Sequence, residues 1–172
     1  MSFENGFIPV KPIDKKLEKK GKNRERLLRM QESGKYVFHG SPIELPKLSP
    51  LQAYRRNKET GEMEKDGEPA VFATQFADIA IFRSLINQKD VIGPTSSSFG
   101  VDDNGFYSSA TANLYEAAKK KIGKIYVFEK SKFGDIVGME CRSTEEVEPL
   151  EVIDVYFDDL PTGVKMIENQ KK

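Results

Sequence analysis

The chain contains very little cysteine and histidine. Cys141 and His39 are the single residues of these two types among 172. One cysteine has no partner for an internal disulfide, which is typical of proteins of the reducing cytoplasm. One histidine and one cysteine do not make a histidine-based metal cluster, and the sequence has no paired-cysteine zinc motif. We therefore expect a cytoplasmic protein without a metal site.

Long apolar runs and net charge are also absent. No apolar run approaches the roughly 18 residues of a membrane-spanning helix. The opening MSFENGFIPV lacks the basic and then apolar layout of a signal peptide. Lys and Arg total 27, as do Asp and Glu, so no overall field directs the chain to nucleic acid or to a membrane. We expect no membrane partner.

The charges are nevertheless segregated along the chain. Residues 11–29 contain nine cations against three acids, and residues 140–160 contain eight acids against one arginine. The basic segment is interpreted either as an arm for nucleic acid or an acidic partner, or as a solvated helical extension packed loosely on the domain. We favour the extension. The two segments can also pair with each other, or with a second copy of the chain.

Turn signals divide the chain into an N-terminal extension (1–33), a domain (34–160) and a tail (161–172) that we expect to be frayed. The extension contains a charged helix over 13–33, with a possible break at Gly21. Residues 41–68 are predicted to form a long irregular loop. Further helices follow Thr74 and Thr111, and Asn104-Gly105 predicts a hairpin turn. Strands are predicted over 35–40, 69–74, 124–130 and 151–157.

These elements predict the fold class. Short strands and few helices, without regular alternation of strand and helix, favour a single α+β domain. The turn-rich hairpin favours a largely antiparallel sheet. We see no internal repeat.

Standard catalytic motifs are mostly absent. The sequence has no P-loop, no GxGxxG and no HExxH. A nucleophilic pair of Cys141 and His39 is formally possible, but nothing near the cysteine indicates an activated thiol.

An ordered set of residues remains. His39-Gly40-Ser41 stands where a strand ends, VFAT (71–74) leads into a helix, and Glu140 lies before the last predicted strand. In this order the chain resembles the ADP-ribosyltransferase superfamily, in its diphtheria-toxin-like and poly(ADP-ribose) polymerase-like branch, from about Tyr36 to Val155. The resemblance implies a split, largely antiparallel sheet with flanking helices. It also implies NAD as substrate and an acceptor, protein or nucleic acid, for the ADP-ribose.

The resemblance implies roles for individual residues. Glu140 would stabilise the oxocarbenium-like ribose that forms when nicotinamide leaves. His39 would donate a hydrogen bond to a ribose hydroxyl, and Ser41 would add a hydroxyl contact. Gly40, without a side chain, would let its backbone amide and carbonyl approach the nicotinamide carboxamide.

Other binding residues are less specific. Phe72, Phe82 or Tyr54 would stack on the nicotinamide ring, and Arg55 and Arg56 would meet the pyrophosphate. Each also has a structural interpretation, as core aromatic or solvated loop charge. The structural alternative for His39 is that it caps a strand end and bonds a backbone carbonyl.

Two departures leave alternatives open. Glu146 and Glu148 form the Glu-x-Glu of the arginine-modifying toxin branch, so three glutamates compete for the catalytic role, of which we prefer Glu140. Val71 and Phe72 stand where the branch has its stacking tyrosine. A degenerate site that binds NAD without cleaving it, or transfer to water, therefore stays open.

We hypothesise an enzyme that cleaves the nicotinamide–ribose bond of NAD and transfers ADP-ribose to an acceptor. The alternative is a non-catalytic nucleotide- or protein-binding module on the same fold. A less favoured alternative is an NAD-dependent RNA 2'-phosphotransferase. That enzyme needs extra basic residues, which only Arg55, Arg56, Arg83 or the N-terminal segment can supply.

Overall fold

The structure is a computed structural model that describes residues 21–161 and 164–168. Within these residues it is a mixed α+β domain whose sheets are mainly antiparallel, as predicted. None of the helices described is long and apolar enough to cross a membrane. The elements are α1 (Lys22–Glu32), β1 (Tyr36–Ser41), β2 (Tyr54–Arg56), β3 (Met63–Lys65), β4 (Val71–Ala73), α2 (Ala77–Leu85), β5 (Ser97–Asp102), β6 (Gly105–Thr111), α3 (Ala112–Ala118), β7 (Gly123–Glu129), β8 (Cys141–Ser143), β9 (Glu151–Val155) and β10 (Lys165–Ile167).

The central sheet has the strand order β1-β7-β9, and both pairings are antiparallel. Because side chains alternate along a strand, its two faces carry different residues. Phe38, Ile125 and Ile153 point to the face that α1 and α2 cover. Val37 and Tyr126 point to the opposite face, where they pack against the two-stranded sheet β4-β8. The central sheet is therefore buried on both sides.

A second three-stranded sheet has the order β10-β6-β5. Its β5-β6 hairpin turns at Asp103 and Asn104, and Gly105 follows with a φ of +103°, which glycine adopts without strain. The hairpin predicted from Asn104-Gly105 is confirmed, one residue from the expected turn. Residues 165–167 were expected to be frayed but pair in parallel with β6.

Helix α1 corrects the prediction of a loosely packed extension. Leu27 is fully buried in the core, and Arg24 makes a bidentate ion pair with Asp78 of α2 at 2.8 and 2.9 Å. Arg26 pairs with Glu151, so the basic and acidic segments do meet within one chain. The helix begins after Gly21, and its predicted part over 13–20 lies outside the described residues.

Residues 41–68 also differ from the prediction of an irregular loop. They contain the hairpin β2-β3, and two isolated bridges, Leu48 to Val147 and Leu51 to Ala70, attach this segment to the domain. The strands escaped prediction because the side chains of β2 are all exposed, so no apolar alternation marks them.

Candidate functional site

Strands β1 and β4 meet at one point and then separate. Phe38 and Thr74 exchange two backbone hydrogen bonds of 2.8 Å. Continued antiparallel pairing would place Gly40 opposite Phe72. Instead the imidazole of His39 forms a hydrogen bond with the Phe72 carbonyl, with Nδ1 at 2.7 Å from the oxygen. Backbone pairing of the two strands therefore stops after Phe38, and the unpaired interval beyond it is here called the gap.

Gly40 presents backbone groups to this gap. In an antiparallel ladder, alternate residues direct their N–H and C=O to opposite edges of the strand. Phe38 bonds Thr74, away from β7, so Gly40, two residues later, points the same way. No partner for its N–H or C=O is found in the part of the chain that the structure describes. The gap thus offers one donor and one acceptor from a single residue.

A second reason for glycine at position 40 comes from packing. A Cβ there would lie 1.9 Å from the Ala80 carbonyl oxygen of α2. The close approach of α2 to β1 therefore requires glycine, whether or not a ligand binds. Sequence reasoning had attributed this glycine to ligand contact alone.

His39 is half-buried, and its hydrogen bond fixes its tautomer. Burial lowers the pKa of the imidazole; the Phe72 carbonyl bond opposes this, and the positive charge of Arg83 lowers the pKa further. A neutral ring whose Nδ1 faces a carbonyl, which only accepts, must carry its proton on Nδ1. Nε2 is then an acceptor. In this tautomer Nε2 accepts a hydrogen bond and does not donate one, which differs from the donor role expected of His39.

Glu140 directly precedes β8, next to the Phe38–Thr74 pair, and this place where β1 leaves β4 is here called the corner. The β4-β8 register pairs Ala73 with Cys141 and, continued by one residue, sets Glu140 opposite Thr74. A tight turn with Val137 shapes its backbone. The Glu140 side chain is 35% exposed, and Oε1 is 3.3 Å from Nη2 of Arg83. His39 and Glu140 thus both stand next to the Phe38–Thr74 pair along their chain segments.

Arg83 connects these groups. It pairs with Glu140, its charge acts on His39, and its guanidinium lies over the Phe99 ring, 5.1 Å from the centroid. A cavity of about 420 Å³ lies on the Phe99 side. The lining residues are Phe82, Arg83, Ile86, Asn87, Gln88, Lys89, Ser97 and Phe99. Sequence reasoning gave Arg83 no role in an NAD site, although it is the only cation of a mainly apolar helix.

The four cavities described here do not include the single hollow that His39 and Glu140 were expected to share. Neither residue lines this cavity or the three others identified in the described residues, which have volumes of about 840, 470 and 240 Å³. The two side chains approach the corner from different strands, and Arg83 stands beside both.

Three predicted contacts near the corner are otherwise engaged. The Ser41 hydroxyl donates to the Ile43 carbonyl at 2.7 Å. Phe82 is 1% exposed and packs on Phe99, so its ring belongs to the core, although it also forms part of the wall of the cavity of about 420 Å³. Phe72 is half-buried under the guanidinium of Arg142, 4.7 Å from the ring centroid.

Tyr54, Arg55 and Arg56 lie on the hairpin β2-β3. Arg55 pairs with Glu64 at 2.8 Å, and Arg56 donates to the Gly61 carbonyl. No recorded contact brings any of the three to His39. Of the three arginines that could serve an RNA 2'-phosphotransferase, Arg83 lies at the corner, whereas Arg55 and Arg56 lie on the hairpin.

The competing acids lie elsewhere. Glu146 and Glu148 line the cavity of about 470 Å³, which the structure separates from the Phe38–Thr74 bridge. Hydrogen bonds from Lys47 and Ser49 lower the pKa of Glu146. Of the three glutamates, Glu140 is the one beside the corner.

Cys141 does not form a nucleophilic pair. The thiol is 1% exposed and 3.6 Å from the Ala73 carbonyl oxygen, and burial raises its pKa to about 11. No contact with His39 is recorded. Among residues 21–161 and 164–168, no group of three or more His, Cys, Asp or Glu side chains could hold a metal ion.

The chain matches no protein family, no curated protein and no solved structure.

Proposed function

We propose that the corner where β1 leaves β4 binds NAD and that the chain cleaves the nicotinamide–ribose bond. The observation that carries the proposal is the free N–H and C=O of Gly40. They lie next to the ring of His39, at the same corner as Glu140. A primary carboxamide, such as that of nicotinamide, needs one donor and one acceptor side by side. The edge of β1 supplies that pair.

His39 would position the ribose. Its ring is held by the Phe72 carbonyl, so Nε2 has a fixed direction. A neutral imidazole accepts from a hydroxyl without adding positive charge near a cationic transition state. The lowered pKa of His39 keeps the ring in this form at neutral pH.

Glu140 would stabilise the charge that develops on the ribose. When the C1'–N1 bond breaks, both electrons stay with the nicotinamide nitrogen and C1' becomes oxocarbenium-like. A carboxylate nearby favours that state. The acceptor then forms a bond to C1' and gives up a proton. With water as acceptor, the products are nicotinamide, ADP-ribose and a proton.

The cavity beside Arg83 supports the proposal by its size and lining. At about 420 Å³ it falls within the usual range for small-ligand sites. It has an aromatic wall at Phe99 and two cations, Arg83 and Lys89. Such a lining suits the phosphate-bearing part of a dinucleotide.

The test is release of nicotinamide from NAD, followed by chromatography. We expect release by the unaltered chain and a loss of at least about 100-fold in Glu140→Gln. His39→Ala should also lower release. Glu146→Gln is the matched control, because it removes an acid of the same segment that lies away from the corner, and it should release nicotinamide normally.

A thermal shift with NAD separates the alternatives. Stabilisation by NAD without nicotinamide release would favour the non-catalytic nucleotide-binding module. The Arg83–Glu140 ion pair gives a reason for that outcome, because the Glu140 carboxylate is already paired with a cation. If NAD neither stabilises the folded protein nor releases nicotinamide in its presence, the proposal is overturned.

A further inference from the structure

The hairpin β2-β3 has two faces of different chemistry. Its register pairs Tyr54 with Lys65, Arg55 with Glu64, and Arg56 with Met63. Because side chains alternate along each strand, one side, here called the front face, consists of Tyr54, Arg56, Met63 and Lys65. Arg55 and Glu64 belong to the opposite side, the back face.

The charged side chains of the back face pair with each other. Arg55 Nε is 2.8 Å from Glu64 Oε1, and Asn57 Nδ2 donates to the other carboxylate oxygen at 3.2 Å. These bonds lower the pKa of Glu64. Glu62, which lies two residues before Glu64, continues the same alternation. The one carboxylate within the paired strands, that of Glu64, therefore lies on the back face.

The front face has cations without acids. Tyr54 is 57% exposed and Met63 is 59% exposed, and both cations are exposed as well. Arg56 donates to the Gly61 carbonyl at 3.1 Å, and within residues 21–161 and 164–168 no carboxylate forms an ion pair with Arg56 or Lys65. The face thus presents an aromatic ring, a thioether and two positive charges to solvent.

We propose that the front face binds single-stranded nucleic acid. Proteins that bind single strands combine cations, which contact phosphates, with exposed aromatic rings, on which bases stack. Arg56 and Lys65 supply the cations, and Tyr54 supplies the ring. The chain as a whole is neutral, so this positive face is a local feature and not a consequence of an overall basic charge.

The partner follows from the combination of residues. An acidic peptide would use the two cations and leave Tyr54 without a role. A duplex would offer phosphates, but its bases are stacked on one another. Single-stranded nucleic acid uses both the charge and the ring. The proposal is independent of NAD cleavage, because the hairpin makes no recorded contact with His39.

Fluorescence anisotropy of a labelled oligothymidylate, about 12 nucleotides long, tests the proposal. We expect Tyr54→Ala to weaken binding about tenfold. We expect Arg56→Gln combined with Lys65→Gln to lower the slope of log K against log salt by about 1.4, for two lost phosphate contacts.

Two controls separate the front face from general charge effects. Arg55→Gln with Glu64→Gln alters the back face and leaves the net charge unchanged. Lys119→Gln with Lys120→Gln, at the end of α3, removes two exposed charges on another element. Both pairs should bind the oligonucleotide as the unaltered chain does.

Several outcomes would overturn the proposal. These are no binding at low salt, an unchanged affinity in Tyr54→Ala, equal affinity for a duplex, or full competition by oligoglutamate. Equal weakening by the α3 pair would also contradict it. Circular dichroism of each variant confirms that it is folded, and the exposed positions make unfolding unexpected.

Discussion

The imidazole of His39 is hydrogen-bonded to the carbonyl of Phe72, at the position where continued pairing would require the N–H of Gly40. One side chain thereby takes over one bond of the ladder and separates β1 from β4. The separation leaves the Gly40 backbone open at the edge of a sheet that is otherwise covered on both faces. The same bond sets the imidazole tautomer, so one contact determines both the gap and the chemistry of the ring that borders it.

Gly40→Ala should strongly destabilise the domain. The added Cβ would fall 1.9 Å from a backbone oxygen of Ala80, which cannot rotate away. We expect a loss of about 3 kcal/mol in the free energy of unfolding, measured with urea. Gly134→Ala is the control, because its Cβ would make an ordinary contact of 3.5 Å with the Arg142 carbonyl. Equal stability of both variants would show that α2 lies further from β1.

Cys141 should resist thiol reagents in the folded chain. With a pKa of about 11 and 1% exposure, the thiolate is scarce at pH 8 and inaccessible. An aromatic disulfide reagent should react very slowly with native protein and promptly with protein in urea. Fast reaction in the native state would revive the Cys141–His39 nucleophilic pair.

Asp159 should anchor helix α1. The carboxylate is fully buried and accepts from the backbone N–H of Arg24 at 3.1 Å and of Tyr156 at 2.8 Å. Asp159→Ala leaves these donors unsatisfied at the start of a helix, which costs about 2 kcal/mol or more. Urea unfolding measures the loss. Asp158→Ala, at the exposed neighbouring position, should have little effect, and a similar loss there would contradict the anchoring role.

Local signals explain which elements could be predicted from the sequence. Strands β1, β7 and β9 are short apolar runs because they lie in a sheet covered on both faces. The β5-β6 hairpin follows from its Asn-Gly dipeptide. In contrast, β2 and β3 are paired strands whose side chains are largely exposed, and β10 depends on a partner, β6, more than fifty residues away in sequence. No local pattern encodes those pairings.

The candidate site was predictable in part for the same reason. The His39-Gly40-Ser41 tripeptide and Glu140 can be selected from the sequence by their residue types. In the structure both stand beside one corner. The His39–Phe72 bond and the contact of Arg83 with Glu140 join residues 33 and 57 positions apart. Such contacts follow from the way α2 and β4 pack, which composition and spacing do not reveal.

The stability of the domain should fall between neutral pH and mildly acidic pH because of His39. Its pKa in the folded chain is lowered, mainly by burial, from an ordinary value of about 6.5. Below about pH 6.5 the unfolded chain therefore binds a proton that the folded chain does not, and the free energy of unfolding decreases as the pH falls towards the folded pKa. The slope reaches at most about 1.4 kcal/mol per pH unit. His39→Gln removes this proton uptake, so it should lose less stability than the unaltered chain between pH 7.5 and 5.5, as measured with urea.

Arg83→Met tests the electrostatic part of the same shift. The positive charge of Arg83 disfavours a protonated imidazole, so its removal should raise the pKa of His39. The chain has one histidine, so its NMR titration gives a single, unambiguous imidazole signal. Lys119→Met, on α3, should leave that pKa unchanged. A His39 pKa at or above its ordinary value in the unaltered chain would mean that burial and the charge of Arg83 do not outweigh the hydrogen bond to the Phe72 carbonyl.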